Sequence, residues 1–384
     1  MTLAREKAMD RLRKATGRAA GPLFAARHGR FFVTRRTVAT MLQRASAVGG
    51  APGDLRQVSP EEAAAQSGGA LARPEPGYPV LELPGGVVVS PWGHVGPDDH
   101  SYVLEFGFAR REREVEAPLK ECAFAATNPS VALPGRTASL LVNYYRNYCH
   151  WLLQGFVRLD LLERTGGFDR FDRLVLPPET PETFFEAAAS YGVARDRFVV
   201  LPEQPTVHRC EHLTVTGLPR SPRDVPPWVV DGLRDRFGRF GATGAPRRVY
   251  LTRGNAPRRR VVNRAEVDDL LRRRGFVAVA MDGHTIAEQA ELMGAAECVV
   301  AVHGAAMANL VFMPRDALLV ELKYRNWPTD IYTGVARSTG VRYEALFGTE
   351  TAMPQWLGYP QQIDSDTVVD VRALAALLDR EGIT

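Results

Sequence analysis

Cysteine is scarce in this 384-residue chain. Its four residues (Cys122, Cys149, Cys210, Cys298) stand far apart, with no C-x-x-C pair. That spacing excludes a zinc ribbon and a disulfide framework, and it predicts a reducing, cytoplasmic setting. No run of about 20 apolar residues occurs, so a membrane-spanning helix is not expected. The stretch with fewest charges, Cys298 to Pro314, is broken by His303, Gly304 and Asn309 and reads as buried core. The N-terminus lacks the continuous apolar segment of a secretory signal. No G-x-x-x-x-G-K-[ST] is present, which removes the P-loop NTPases, and no glycine fingerprint of a dinucleotide site follows a strand.

Charge is unevenly placed. Residues 1–44 carry eleven Lys and Arg against Glu6 and Asp10, leaving 37 basic and 42 acidic residues for the rest, a net −5. A body of that sign excludes a general nucleic-acid binder. The basic start is either a solvated helix face or a peripheral contact with an anionic membrane surface. With the Gly-, Pro-, Ala- and Ser-rich tract to Gly77, residues 1–76 read as a loosely structured arm.

From Tyr78 onward strands and helices alternate. Strands are expected at 87–90, 102–106, 139–145, 173–177, 197–202 and 212–217. A wide apolar helix is expected over 148–164, stopped by Gly166-Gly167, and a second begins with Thr180 capping and Pro181 first. After a proline-rich break, a helix to about 240 and a linker at 241–246, a cleaner series follows. Its strands are 248–252, 276–280, 298–302, 318–322 and 341–347. Asn263/Glu266 and Thr285/Glu288 have the spacing of capping boxes, Gly275 stands as a helix stop, and a helix near 367–380 closes the chain. This is an α/β protein with two Rossmann-like parallel-sheet domains, 77–240 and 247–348, and an extension over 349–384.

Three stretches carry chemistry. In CVVAVHGAAMANLVFMPRDALLVEL (298–322) a buried strand runs through His303-Gly304 into a helix of small residues. That is the carboxyl edge of an α/β sheet, where backbone N–H groups favour a phosphate, and Gly304, Ala305 and Ala306 let it approach. RRVYLTRGNAPRRRVVNRAEV (247–267) places Arg253 and Arg258–Arg260 at the same edge, and guanidinium forks match phosphate oxygens. A pyrophosphate would need no metal there. In NYYRNYCHWLLQGFVRL (143–159), His150 falls in the first turn of an apolar helix, placed for a general base, with Asn143, Tyr145 and Tyr148 as acceptor-pocket candidates. Asp364-Ser365-Asp366 has the form of a metal-binding D-x-D, but it precedes the last helix and reads as its cap.

NYCHWLLQGFVRL, YLTR with RRRVVNRAEV, the Glu288-Gln289 helix, CVVAVHGAAMANLVFMP and LLVEL together resemble the family-61 glycosyltransferases over roughly 140–325. The resemblance implies a GT-B fold, two domains facing across a cleft that holds a nucleotide-sugar. It implies inverting transfer to a glycan or lipid-linked saccharide without a required cofactor or metal, and in bacterial members surface or capsular polysaccharide assembly. By motif, His303, Gly304 and Asn309 match HGA-x-x-x-N, and Arg253, Arg259 and Arg260 match R…RR. Asn263, Glu266 and Gln289 match the positions that follow, and His150 matches HWLL. A proline usual before the arginine is absent at Gly155-Phe156-Val157-Arg158. On this reading His150 is the acceptor base, with Asp282 and Glu288 as rivals, and Glu321 stands either on the ribose hydroxyls or as an ordinary strand-end acid. The competing readings are a dinucleotide oxidoreductase and a non-catalytic polyanion-binding module built on the Arg loop.

Overall fold

A computed structural model describes residues 55–103, 106, 116–142, 144–219, 222–238, 244–254, 256, 258–324, 330–350 and 366–384. The basic start of the chain, Asn143 and part of the 241–246 linker lie outside the described residues. Among those described, no helix is long and apolar enough to cross a membrane.

Among the described residues sixteen strands form two main sheets and one separate pair. The earlier strands are β1 (Arg56–Gln57), β2 (Ala70–Glu75), β3 (Tyr78–Pro84), β4 (Val87–Ser90), β5 (His94–Gly96), β6 (Ser101–Tyr102), β7 (Val131–Ser139), β8 (Arg173–Leu176), β9 (Phe198–Val200) and β10 (Thr206–Thr216). They form a sheet of order β2-β3-β10-β7-β8-β9, with β4 and β5 joined through β10, while β1 pairs β6 separately. The sheet is mixed, not parallel as its sequence suggests: β2–β5 pair antiparallel, and only β7–β10 run parallel. The reason is loop length. Tight turns with positive φ at Gly77 and Gly93 reverse the chain between β2 and β3 and between β4 and β5, whereas a parallel neighbour needs a long crossover.

Residues 55–76 belong to this domain and not to a loose arm. Ser59 caps the helix Pro60–Ser67, its hydroxyl accepting from Glu62 N, and Val58, Ala63 and Ala64 are buried against the sheet. The strand expected at 139–145 instead ends at Ser139; Leu140 makes one more bond, to Val175 O (2.9 Å), and the chain then leaves the sheet. Pro181, not Thr180, precedes the helix Glu182–Ala188, because the Thr180 hydroxyl donates back to Pro177 O.

The later strands are β11 (Arg248–Leu251), β12 (Val277–Val279), β13 (Cys298–Val302), β14 (Leu318–Tyr324), β15 (Arg342–Glu350) and β16 (Thr367–Val368), in the order β12-β11-β13-β14-β15-β16. The first five are parallel and β16 is antiparallel. Strand order reverses between β11 and β13, which is the switch point of a doubly wound sheet. Gly275 ends the helix Arg264–Arg273 with φ 75°. The C-terminal segment is no appendage: β16 completes the sheet and the helix Val371–Arg380 buries Leu374, Leu377 and Leu378 against Val300, Leu318 and Val320.

Between the two sheets lies one continuous apolar layer. Leu152, Phe156 and Leu161 meet Phe184, Leu233, Met293, Leu310 and Val335, with Leu174 and Leu176 on one side and Val299, Ala301 and Leu319 on the other. Each such side chain contributes about 1.5–3 kcal/mol by leaving water. The sheets therefore share a core where lobes facing across a cleft were expected.

Candidate active site

The carboxyl ends of β11 and β13 are neighbours at the switch point, and each delivers one expected residue. Arg253, two residues past β11, donates from Nη1 to His303 O (3.4 Å), just past β13. Gly304 leaves room for this approach: an added Cβ would stand 2.3 Å from Arg253 Nη1 and the guanidinium would have to move aside. Arg259 is close enough for its charge to depress the His303 pKa, and its backbone has φ 55°, strain of a kind that clusters at functional sites. Ala305 and Ala306 remain half-exposed at the turn. The chain then continues as a 3-10 helix, Ala305–Phe312, in place of the expected α-helix.

The rest of the arginine run is engaged elsewhere. Arg260 is held by Asp366 through its backbone N, Nε and Nη2 (2.8, 3.0 and 2.7 Å), so Asp366 pairs with an arginine while Asp370 caps the last helix. Arg247 and Arg248 share Glu297, and Arg264 pairs with Asp268. Asn263 makes no capping bond. Its amide pairs both ways with the Val369 backbone (2.8 and 2.9 Å), which fastens the C-terminal segment instead of a donor.

His303 sits on a buried polar relay. Odd-numbered residues of β14 face the shared core, so Glu321 and Lys323 lie on one side of the strand. His303 Nδ1 and the Tyr343 hydroxyl both donate to the Glu321 carboxylate, and Lys323 Nζ donates to Tyr343 Oη (3.1 Å) and stands 3.6 Å from Glu321. Burial alone would push the Glu321 carboxyl up, but the His303 hydrogen bond, the Lys323 charge and the Tyr343 hydroxyl hold it below the ordinary range. Burial lowers the His303 pKa, helped by Arg259 and Lys323. The imidazole is thus neutral, with its proton on Nδ1. Glu321, 1% exposed, is filled by these three partners; it orients His303 and offers no face to a ribose.

Both His303 and His208 are depressed by burial, so the unfolded chain binds more protons than the folded one below pH 6.5. Their contribution is complete above that pH and is lost as pH falls. Glu321, also depressed, adds to the loss at lower pH. Tm should therefore drop as the buffer is taken from pH 7 towards about pH 5, and His303→Gln should flatten part of that slope. A Tm insensitive to pH across this range would refute the neutral-imidazole assignment.

His150 opens the buried helical stretch from the other side. Asn147 caps Tyr148–His150 by accepting from Cys149 N (2.9 Å), a π-turn follows at Trp151–Gly155, and the helix Phe156–Arg164 continues. Such π-turns recur at functional sites. Gly155 is forced here, since a Cβ would meet Trp151 Cε3 at 2.6 Å. Gln154 donates to Pro219 O (2.6 Å), which turns its carbonyl oxygen towards His150 Nδ1 and fixes the Nδ1–H tautomer. Arg158, the arginine that lacks the usual preceding proline, is fully buried and donates to Thr216 O and Phe106 O; burial pulls its pKa down to about 9.

Other expected residues hold the two halves together. Tyr148 donates to Asn309 Oδ1 (2.6 Å), Asn309 Nδ2 to Gln289 Oε1 (2.6 Å), and Gln289 Nε2 to His284 O (2.9 Å). Asn309 is fully buried and Gln289 nearly so, which makes this chain a fastening and not a binding surface. Tyr332, unforeseen, donates to Gly304 O (2.6 Å), holds its ring 5.2 Å from that of His303 at a 55° tilt, and contacts Cys149. It joins the His150 turn to the His303 turn. Of the rival acids, Glu288 is consumed by its capping box with Thr285, which lowers its pKa, while exposed Asp282 lies beside the Gly254 turn. Tyr145 is half-buried under Arg146, and Asn143 lies outside the described residues.

Residues 148–320 match the model of the family described as Glycosyltransferase 61. A beta-1,2-xylosyltransferase, XAX1, of Oryza sativa subsp. japonica is 28% identical over 204 residues, which is 51% of this chain and 34% of the rice protein. The matched stretch of this chain thus spans about a third of that relative's length. The family match runs from the His150 turn through Arg253, Arg259 and the His303 turn, and both similarities are to glycosyltransferases.

Proposed function

We propose that the protein transfers a sugar from a nucleotide-sugar donor, UDP-linked, to a saccharide acceptor with inversion at the anomeric carbon and without a required metal. The observation that carries this reading is the meeting of Arg253, Arg259 and the His303-Gly304 turn where strand order reverses. Two guanidinium groups and a turn of small residues are suited to a diphosphate, whose charge they stabilise as it departs. The acceptor oxygen forms the new bond to the anomeric carbon, the bond to the diphosphate oxygen breaks, and the acceptor proton passes to His150. With its proton on Nδ1, His150 offers Nε2 as the basic atom. Xylose is the first sugar to test, given what the rice relative is named for.

Thermal-shift measurements with UDP, UDP-xylose, other UDP-, GDP- and CMP-sugars and NADH test the reading. A UDP compound at about 100 times its Kd stabilises by about 2.7 kcal/mol and raises Tm measurably. Arg259→Ala is expected to weaken that binding roughly ten- to hundredfold, the effect of losing a charged hydrogen bond of about 1.5–3 kcal/mol. Protection by NADH alone would favour the oxidoreductase, and no response to any nucleotide would remove the transferase reading.

A further inference from the structure

Most aromatic residues around His150 face inward. Tyr148 is hydrogen bonded to Asn309, and Trp151 packs on Phe184 with ring centroids 4.4 Å apart. Tyr144, by contrast, is 53% exposed, and its ring lies 5.0 Å from that of His150 at a 34° tilt. Its backbone stands at φ 55°, in the left-handed region where glycine or asparagine is at ease and a bulky side chain is not. The turn is fixed from both sides: Asn147 N donates to Tyr144 O (2.8 Å), and the Asn147 side chain caps the following helix. An exposed phenol ring is thus held, against local preference, over the proposed base. Strain kept at one residue while a less costly residue type exists marks function.

We propose that Tyr144 is the platform on which the acceptor saccharide stacks, so that a ring hydroxyl is delivered to His150. The inference rests on the transferase reading above. One face of a pyranose is lined with C–H bonds carrying slight positive charge, which complements the negative face of an aromatic ring. Polar groups for the sugar hydroxyls flank it: Arg146, held by Glu179 (2.6 Å) and Glu203 (2.5 Å), is two residues away. Tyr144 is a positioning residue. It takes no part in bond making.

Saturation-transfer NMR on the full chain with UDP present, using xylotetraose, cellotetraose and chitotetraose as probes, tests this. At least one probe should bind the unaltered protein. Tyr144→Phe, which keeps the ring, should retain its affinity within about threefold, and Tyr144→Gly should lose about tenfold or more. Glycine relieves the left-handed strain, so the Tyr144→Gly variant should melt within about 2 °C of the unaltered protein. The Tm rise with UDP should be the same in all three. Undiminished saccharide binding by Tyr144→Gly overturns the proposal, as does a UDP-responsive protein that binds none of the probes. So does a large fall in Tm accompanying the loss, which would assign the ring to folding. Failure of the unaltered protein to respond to UDP instead strikes the transferase reading itself.

Discussion

Replacing Glu321 by alanine is expected to destabilise the protein by about 3–5 kcal/mol, the range for removing one partner of a buried charge pair. Two donors lose their acceptor at once, His303 Nδ1–H and the Tyr343 hydroxyl, and the Lys323 ammonium, itself only 7% exposed, loses its countercharge. An uncompensated lysine charge in a dry layer is the costly part. In denaturant titration the midpoint should fall with little change in slope, and Tm should drop on the order of 10 °C. Glu321→Gln should lose less, since a carbonyl oxygen still accepts one hydrogen bond, but it leaves the lysine charge unanswered. If Glu321→Ala lost under about 1 kcal/mol, the carboxylate would be reached by solvent, and the ribose-binding role implied by the sequence would return.

The second sheet was legible because its strands are continuous apolar runs bounded by recognisable caps. CVVAV is buried on both faces and reads as such, and Thr285/Glu288 forms the capping box its spacing announces. The first sheet was harder. Its antiparallel half consists of short strands reversed by glycines, and apolar runs alone do not record the direction of pairing. Asn263 illustrates a different failure. The N-x-x-E spacing was right for a cap, but a backbone partner 106 positions away in sequence competed for the same amide and won.

The site was half legible for a related reason. Residue type and the edge of a parallel sheet, where the backbone leaves groups unsatisfied, were enough to single out Arg253, Arg259 and His303, which the structure does bring near one another, whereas His150 lies on a turn well past the end of β7. Which arginines of a dense run remain there depends on carboxylates elsewhere, and Asp366 and Glu297 carry no local signature of their partners. Two omissions were recoverable: Gln154 lies four residues after His150 on one helix, and Lys323 two residues after Glu321 on one strand face. Tyr332 and Tyr343 were not, since only the tertiary fold brings them to His303 and Glu321.

His150→Ala is expected to lower kcat by about 10²–10⁴-fold, the usual contribution of a positioned general base, while the Kd for UDP stays within about twofold. The separation follows from the geometry: the diphosphate is assigned to Arg253 and Arg259 past β11, whereas His150 belongs to the turn before the π-turn, joined to the donor side through Cys149 with Tyr332 and through Tyr148 with Asn309. Its removal also strands the Gln154 carbonyl oxygen, which costs about 1–3 kcal/mol of stability, so kcat must be measured well below Tm. A purely structural histidine would produce the second effect without the first. Gln154→Glu sharpens the distinction. A carboxylate facing Nδ1 favours the protonated ring, so the acid limb of the kcat/KM profile should move to higher pH while UDP affinity holds. An unmoved limb would transfer the base to Asp282 or to His303, and Asp282→Asn against His303→Gln would then decide between them.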